Sequence, residues 1–106
     1  MENKCSLRRV EQIVEKTADI WDIDPQGIYS RSRTTELCDA RDACILIIKE
    51  KLELLNPQIG AIMGMRLPSA IHHSLKRTKE RIESARYPDE SFIARVNRAR
   101  QLCQDI

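Results

Sequence analysis

Apolar residues recur at helical spacing through most of this chain, and they fall into blocks. In residues 6–21, Leu7, Val10, Val14, Ala18 and Trp21 form one stripe, widened by Ile13 and Ile20. The stripe predicts a first helix, with Ser6 as its cap. Asp24-Pro25-Gln26-Gly27 reads as a capped turn with proline at a first helical position. Ile28 and Tyr29 give a short apolar docking point. Ser30 to Thr35 holds two arginines and no apolar residue, which predicts a polar loop. Thr35 then caps the longest helix, about residues 36–54, and Glu36 suits its positive end. Leu37, Ala40, Cys44, Ile47, Ile48 and Leu52 share one face of it, while Ile45 and Leu46 lie opposite. A helix apolar most of the way round is surrounded by other helices, so this one is central. Lys49-Glu50-Lys51 marks its exposed end, and Leu54 and Leu55 close it.

The pattern then shortens. Asn56 serves as an N-cap, and Pro57 sits in a first turn where its missing N–H costs nothing. Ile59, Ile62 and Met63 give a short apolar face. Gly60 has no side chain, which permits close approach of a crossing helix, and Gly64 supplies the left-handed backbone that stops a helix. A second helix runs from 68 to about 85, with Ile71, Leu75, Thr78 and Ile82 on one face. Ser69, His72, His73, Lys76 and Arg77 lie on the other. This is the order of a helix-turn-helix with a polar, basic second helix. A plain helix pair joined by a glycine turn gives similar signals. In the usual motif the second helix places an apolar residue six after the turn glycine. Here that residue is Ala70, and Ile71 fits better, as if the turn were one residue longer. Tyr87-Pro88 breaks the chain. A last helix, about 89–104, carries Phe92, Ile93, Val96, Ala99 and Cys103 at helical spacing, with Ile106 beyond it. The expected organisation is a helix-turn-helix domain over 1–86. Residues 87–106 then form a C-terminal helix that packs on it or mediates dimerisation, and both alternatives stay open.

Composition adds limits. The chain has 106 residues, enough for one core. Hydrophobic residues at 42% and charged residues at 32% fit an ordinary globular domain, and few glycines, prolines and aromatics favour helices over sheet. The expected fold is all-α, a compact bundle of about five or six helices. A net charge of +2 is too mild to identify a polyanionic partner, so distribution matters more than the total. To residue 30 there are four Lys/Arg against six Asp/Glu, whereas Arg66 to Arg86 holds six positive residues and two negative ones. The acidic start therefore faces away from a polyanion and the second helix of the motif faces it. A solvated helix face would use the same charges.

Catalytic and metal chemistry find little support. No phosphate-binding glycine loop and no nucleophile elbow occurs. His72 and His73 are adjacent, so on a helix they point about 100° apart and cannot chelate one ion together. The cysteines Cys5, Cys38, Cys44 and Cys103 have no C-x-x-C spacing and read as small core hydrophobes. No signal peptide opens the chain, and its longest apolar run, Cys44 to Ile48, is too short to span a membrane. The expectation is a cytoplasmic protein, not an enzyme, with no cofactor and no metal.

The same residues carry a resemblance. N-P-Q-I-G at 56–60 and G-M-R-L-P-S-A-I at 64–71 resemble the L-P-E-I-G and G-G-R-D-H-T-T-V runs of the C-terminal DNA-binding domain of the bacterial replication initiator DnaA. From Ile23 to Thr78 the resemblance needs no gap. It includes Ile28, Ser30 and the basic loop, Arg41, Lys49-Glu50, Arg66 and His73. It also accounts for the longer turn, and it implies a fold similar to that domain and to the Trp repressor. The resemblance implies double-stranded DNA as partner. Arg33 is matched to a minor-groove arginine, Leu67, Pro68, Ser69 and Ala70 to the base readers, and Lys49, Pro57, His73 and Arg77 to phosphate contacts. With the residues of the motif and the loop, the expected DNA-binding set is Arg31, Arg33, Lys49, Asn56, Pro57, Arg66, Leu67, Pro68, Ser69, Ala70, His72, His73, Lys76 and Arg77.

The departures are local. D-H-T-T has become L-P-S-A, so most base-edge donors and acceptors are gone while the phosphate-positioning part is better kept. The family's ATPase domain has no counterpart here, which implies a regulator of replication or transcription that does not hydrolyse ATP. The alternative is a protein-protein interaction module that kept the fold and lost base reading. Such a module binds a replication protein or its own copy. The expected state is a monomer or weak homodimer that does not bind membranes.

Overall fold

A computed structural model describes the backbone of residues 2–84 and 89–106, and side chains from Leu7 onward within those ranges. The break expected at Tyr87-Pro88, the charge of Arg86 and the side chains of Cys5 and Ser6 lie outside the described residues.

The described residues form six α-helices and no strand: α1 (Glu2–Trp21), α2 (Pro25–Tyr29), α3 (Thr35–Leu52), α4 (Asn56–Ile62), α5 (Pro68–Glu83) and α6 (Glu90–Leu102). The all-α expectation holds. Several ends differ from those expected. The first helix already runs through Ser6, so Ser6 is not its cap. Thr34, not Thr35, caps α3, its hydroxyl accepting from the Leu37 N–H at 3.4 Å. Leu54 and Leu55 lie outside α3, because Glu53 turns left-handed at φ 52° and ends the helix. Asn56 is a first helical residue rather than a cap, and its place is taken by Leu55. There the Gln58 side chain reaches back, its Oε1 accepting from the Leu55 N–H at 2.8 Å, while Leu55 offers no side-chain acceptor to the first turn. Asp24 caps α2 as expected, accepting from the Gln26 N–H at 2.9 Å.

α3 is the central helix. Every residue from Ala40 to Ile48 is buried, including both sides of the helix at Ile45 and Ile47. It is covered by α1 through Val10, Ile13, Val14 and Ala18, and by α2, α4, α5 and α6. α6 lays Phe92, Val96, Ala99 and Cys103 into the same core. Trp21, from the apolar stripe of the first helix, meets Phe92 edge to face, with ring centroids 6.2 Å apart. Arg81 lies over the Phe92 ring at 3.7 Å and also pairs with Asp39 and Asp89, so one guanidinium ties α5 to α3 and to the start of α6. Arg100 forks onto Glu50 at 3.0 and 2.7 Å, a second tie between α6 and α3. Cys44 and Cys103 are buried and Cys38 is partly so, in keeping with core use of the thiols.

The α4–α5 turn has a specific construction. Gly64 has φ 89° and Met65 φ 59°, two consecutive left-handed residues. Their combined rotation lengthens the turn. The Arg66 N–H then returns to the Gly60 carbonyl at 2.7 Å. A Cβ on Gly60 would strike the Arg66 carbonyl oxygen, so the close approach expected at Gly60 comes from the turn itself rather than a crossing helix. The extended turn puts Ile71 into the core and leaves Ala70 exposed.

Candidate nucleic-acid interface

Three segments border one open groove of about 620 Å³: the loop after α2, the start of α3, and the exposed side of α5. The loop contributes Arg31 and Arg33. α3 contributes Cys38, Asp39, Arg41 and Asp42. The motif contributes Arg66, Ala70, Ile71, His73, Ser74, Arg77 and Arg81.

The loop is held from below. Arg41 is only 7% exposed, yet its guanidinium is satisfied by backbone oxygens of α2 and the loop. Its Nε donates to the Ile28 carbonyl at 2.8 Å. Its Nη2 faces the carbonyls of Gly27, Ser30 and Ser32 at 3.2, 3.0 and 3.1 Å. A buried charge needs such partners, and here the partners are the loop itself. Ser30 adds local order, its hydroxyl donating to the Gly27 carbonyl at 2.6 Å and accepting from the Ser32 N–H at 3.2 Å. The loop thus has a defined path although Arg31 to Thr34 are exposed.

Arg66 joins the loop to the motif. Its Nε donates to the Met63 carbonyl at 2.8 Å and its Nη2 to the Ser30 carbonyl at 2.6 Å. Arg41 and Arg66 therefore share one acceptor, Ser30. Burial, followed by the charges of Arg41 and Arg31 and then Arg33, lowers the Arg66 pKa. The cation remains, but like charges crowd it, and an anion entering the groove would relieve that repulsion. Among the described residues Arg31 and Arg33 make no ion pair and no hydrogen bond through their side chains.

The opposite wall is internally neutralised. Asp42, whose side chain is 6% exposed, accepts from Ser74 Oγ at 2.7 Å and from Arg77 Nε and Nη2 at 3.1 and 2.9 Å. Its hydrogen bond raises the Arg77 pKa against the penalty of burial. At Arg81 burial disfavours the charge, and the bonds to Asp39 and Asp89 outweigh it, so its pKa also rises. The positive charge counted from Arg66 to Arg86 is therefore not all available to a polyanion, because Arg66 and Arg81 are committed to protein partners and Arg77 is shared with Asp42. Lys76 and Lys79 are exposed, and Arg77 keeps half its side chain in solvent.

The expected binding residues fall into three groups. The groove brings together Arg31, Arg33, Arg66, Ala70, His73 and Arg77. Leu67, Pro68 and Ser69 stand exposed at the start of α5, beside Ala70, with His72 and Lys76 farther along the helix. Lys49, Asn56 and Pro57 sit at the α3–α4 junction, where Lys49 Nζ donates to the Leu54 carbonyl at 2.9 Å and to Asn56 Oδ1 at 3.1 Å. Only His73 of the adjacent histidines lines the groove. Among the described residues no cluster of metal-binding side chains occurs and no helix is long and apolar enough to cross a membrane.

Sequence reasoning passed over Asp42 and Ser74, and it met Arg41 only through the resemblance. One signal was present. Arg41-Asp42 interrupts a stretch in which almost every neighbouring residue is apolar, and a charge inside a helix buried all round needs a partner.

Residues 10–78 match the family described as "Bacterial dnaA protein helix-turn-helix". The chain is 32% identical over 84 residues to the chromosomal replication initiator protein DnaA of Aliarcobacter butzleri, covering 79% of this chain and 18% of that protein. It is 33% identical over 87 residues to the protein of the same name from Campylobacter concisus, covering 82% and 19%. It is also 32% identical over 87 residues to that of Campylobacter fetus, covering 82% and 19%. The chain spans less than a fifth of the length of these relatives. No solved structure matches at a significant level.

Proposed function

The chain belongs to the bacterial DnaA helix-turn-helix family, and from that premise we propose that it is a double-stranded DNA-binding protein of the cytoplasm. It acts as a small regulator of replication or transcription and does not itself hydrolyse ATP. α5 enters the major groove by its first turn, Leu67 to Ala70, while Arg33, with Arg31 beside it, enters the adjacent minor groove. His72, His73, Lys76 and Arg77 from α5, and Lys49, Asn56 and Pro57 from the α3–α4 junction, meet the flanking phosphates. The observation that carries this reading is the bond from Arg66 to the Ser30 carbonyl. It couples the helix-turn-helix to the arginine loop, so two reading elements reach one duplex in a set register.

Titration of labelled duplex across a salt series tests it. Binding weakens steeply with salt because neutralised phosphates release counterions. Arg33→Ala costs about 1–3 kcal/mol if that guanidinium reads a base edge. No binding to any duplex at low salt, or an unchanged titration for Arg33→Ala, refutes the proposal.

A second reading is an interaction module that binds a replication protein or its own copy. It is favoured by the apolar residues at the start of α5, with Leu67 70% exposed and Met65 77%. Sedimentation with and without duplex separates the two, since a module of this kind shows no mass increase with DNA.

A further inference from the structure

The geometry points to a second copy of this chain as the partner of the outward face of α1, in an antiparallel, two-fold symmetric pair. The inference does not depend on the double-stranded DNA reading.

Arg8, Glu11, Gln12 and Glu15 are exposed and fall within an arc of about 100° on the helix, so they form one face. Among the described residues their side chains make no ion pair and no hydrogen bond. The layout of charge is one that an isolated helix disfavours. Glu11, Glu15 and Asp19 follow one another at four-residue steps, so like charges are neighbours. Asp19 lies in the last turn, where the helix dipole disfavours an anion, and no basic residue offsets it there. Beside this face is a cleft of about 390 Å³ that shares no residue with the groove along α5. Leu7, Val14, Pro25 and Tyr29 line it together with Glu11 and Glu15. The Tyr29 phenol is pushed up to about 12, first by burial and then by Cys44, Glu11 and Glu15. An apolar cleft with two carboxylates beside it suits an apolar side chain followed by a cation. Leu7-Arg8 is such a sequence, and Leu7 is 43% exposed.

Symmetry supplies the register. When α1 is reversed about a point between Glu11 and Gln12, Arg8 stands opposite Glu15 of the second copy, and Glu15 opposite its Arg8. Glu11 meets Gln12, whose amide donates to the carboxylate. Leu7 comes level with Lys16 of the second copy. The two-fold axis keeps the cleft sides of both helices on the same flank, so each Leu7 reaches the other copy's cleft. Parallel pairing would instead set Arg8 on Arg8 and Glu15 on Glu15. A closed pair uses one patch on both copies, and a stripe that complements itself only when reversed provides that patch. α1 and α5 each pack on α3, and the cleft and the groove are lined by different residues. The pair therefore leaves the groove of each copy open.

Sedimentation equilibrium of the full chain, without DNA, tests it. A contact this small makes a transient pair, so a monomer–dimer equilibrium with a dissociation constant between about 1 μM and 1 mM is expected. Added salt weakens it, because the paired charges are exposed. Arg8→Glu and Glu15→Arg each set like charges opposite one another, and each weakens self-association at least about tenfold. An equimolar mixture of the two variants associates again, since every arginine then faces a glutamate. The double variant Arg8→Glu, Glu15→Arg also regains self-association. Far-UV spectra stay unchanged throughout, as both side chains lie outside the core. A monomer at every concentration, or association that either single variant leaves unchanged, overturns the inference. Growth beyond a dimer does so as well, and so does a mixture as monomeric as its two components.

Discussion

Arg41 is the side chain whose removal should do most damage for its size. In Arg41→Ala, the carbonyls of Gly27, Ile28, Ser30 and Ser32 lose a charged donor, but they do not lose it equally. Gly27 keeps the Ser30 hydroxyl, Ser30 keeps Arg66, and exposed Ser32 gains water. The Ile28 carbonyl, beside a fully buried side chain, loses its 2.8 Å partner. One charge-assisted bond lost and one buried acceptor left short together cost about 2–4 kcal/mol. The weaker bonds to Nη2 add less, because its two hydrogens are shared among three acceptors. A domain of this size is stable by roughly 5–15 kcal/mol, so the loss is a large share. A drop of about 3 kcal/mol lowers the melting temperature by roughly 12–24 °C. Urea unfolding followed by the fluorescence of Trp21, the single tryptophan, measures it. Arg41→Lys, which keeps the charge but not the fork, recovers less than half. DNA binding should weaken in Arg41→Ala even where the protein is folded, since the loop no longer has a set path. An unfolding midpoint unchanged within error, or full rescue by lysine, refutes the account of Arg41 as a fork that holds the loop.

Two further predictions concern charge. Asp42→Asn keeps an acceptor for Ser74 but frees Arg77 and removes a carboxylate from the groove. It should lower stability by about 1 kcal/mol, because Arg77 is half exposed, while increasing DNA affinity and steepening the log–log salt slope by about 0.9. A titration showing weaker binding with an unchanged slope contradicts this. Burial pushes the Cys44 thiol up to about 12. The unfolded chain therefore loses its proton first, so the stability is fully present below about pH 8.5 and declines as pH rises toward 12. The full decline for this thiol is about 4 kcal/mol. Cys44→Ala should flatten urea-derived stability between pH 8.5 and 10.5 relative to the parent, with Cys103 and Tyr29, both also raised by burial, keeping part of the slope. Parallel curves for parent and variant rule the attribution out.

The succession of helices was legible in the chain because each buries a stripe whose period depends only on local geometry. The central position of α3 was legible too, since apolar residues all round a helix have nowhere else to go. Helix ends were less so. Thr34 and Thr35 are chemically alike, and which one caps α3 depends on where the preceding loop is anchored. Asn56 is a good cap by type, but Lys49 holds its side chain and Gln58 serves the vacant N–H instead. At the site, the arginines of the loop and of α5 could be named from composition and resemblance. Whether each was free to meet a polyanion could not, because Asp42, Asp39 and Ser30 are 35, 42 and 36 residues away from Arg77, Arg81 and Arg66. Sequence by itself determined what is local: period, turn residues, and the apolar chemistry of Leu67 to Ala70. Only the tertiary structure decided which charges neutralise one another and which face outward. Coulomb and hydrogen-bond partners are chosen by distance in space, and the packing around α3 sets those distances.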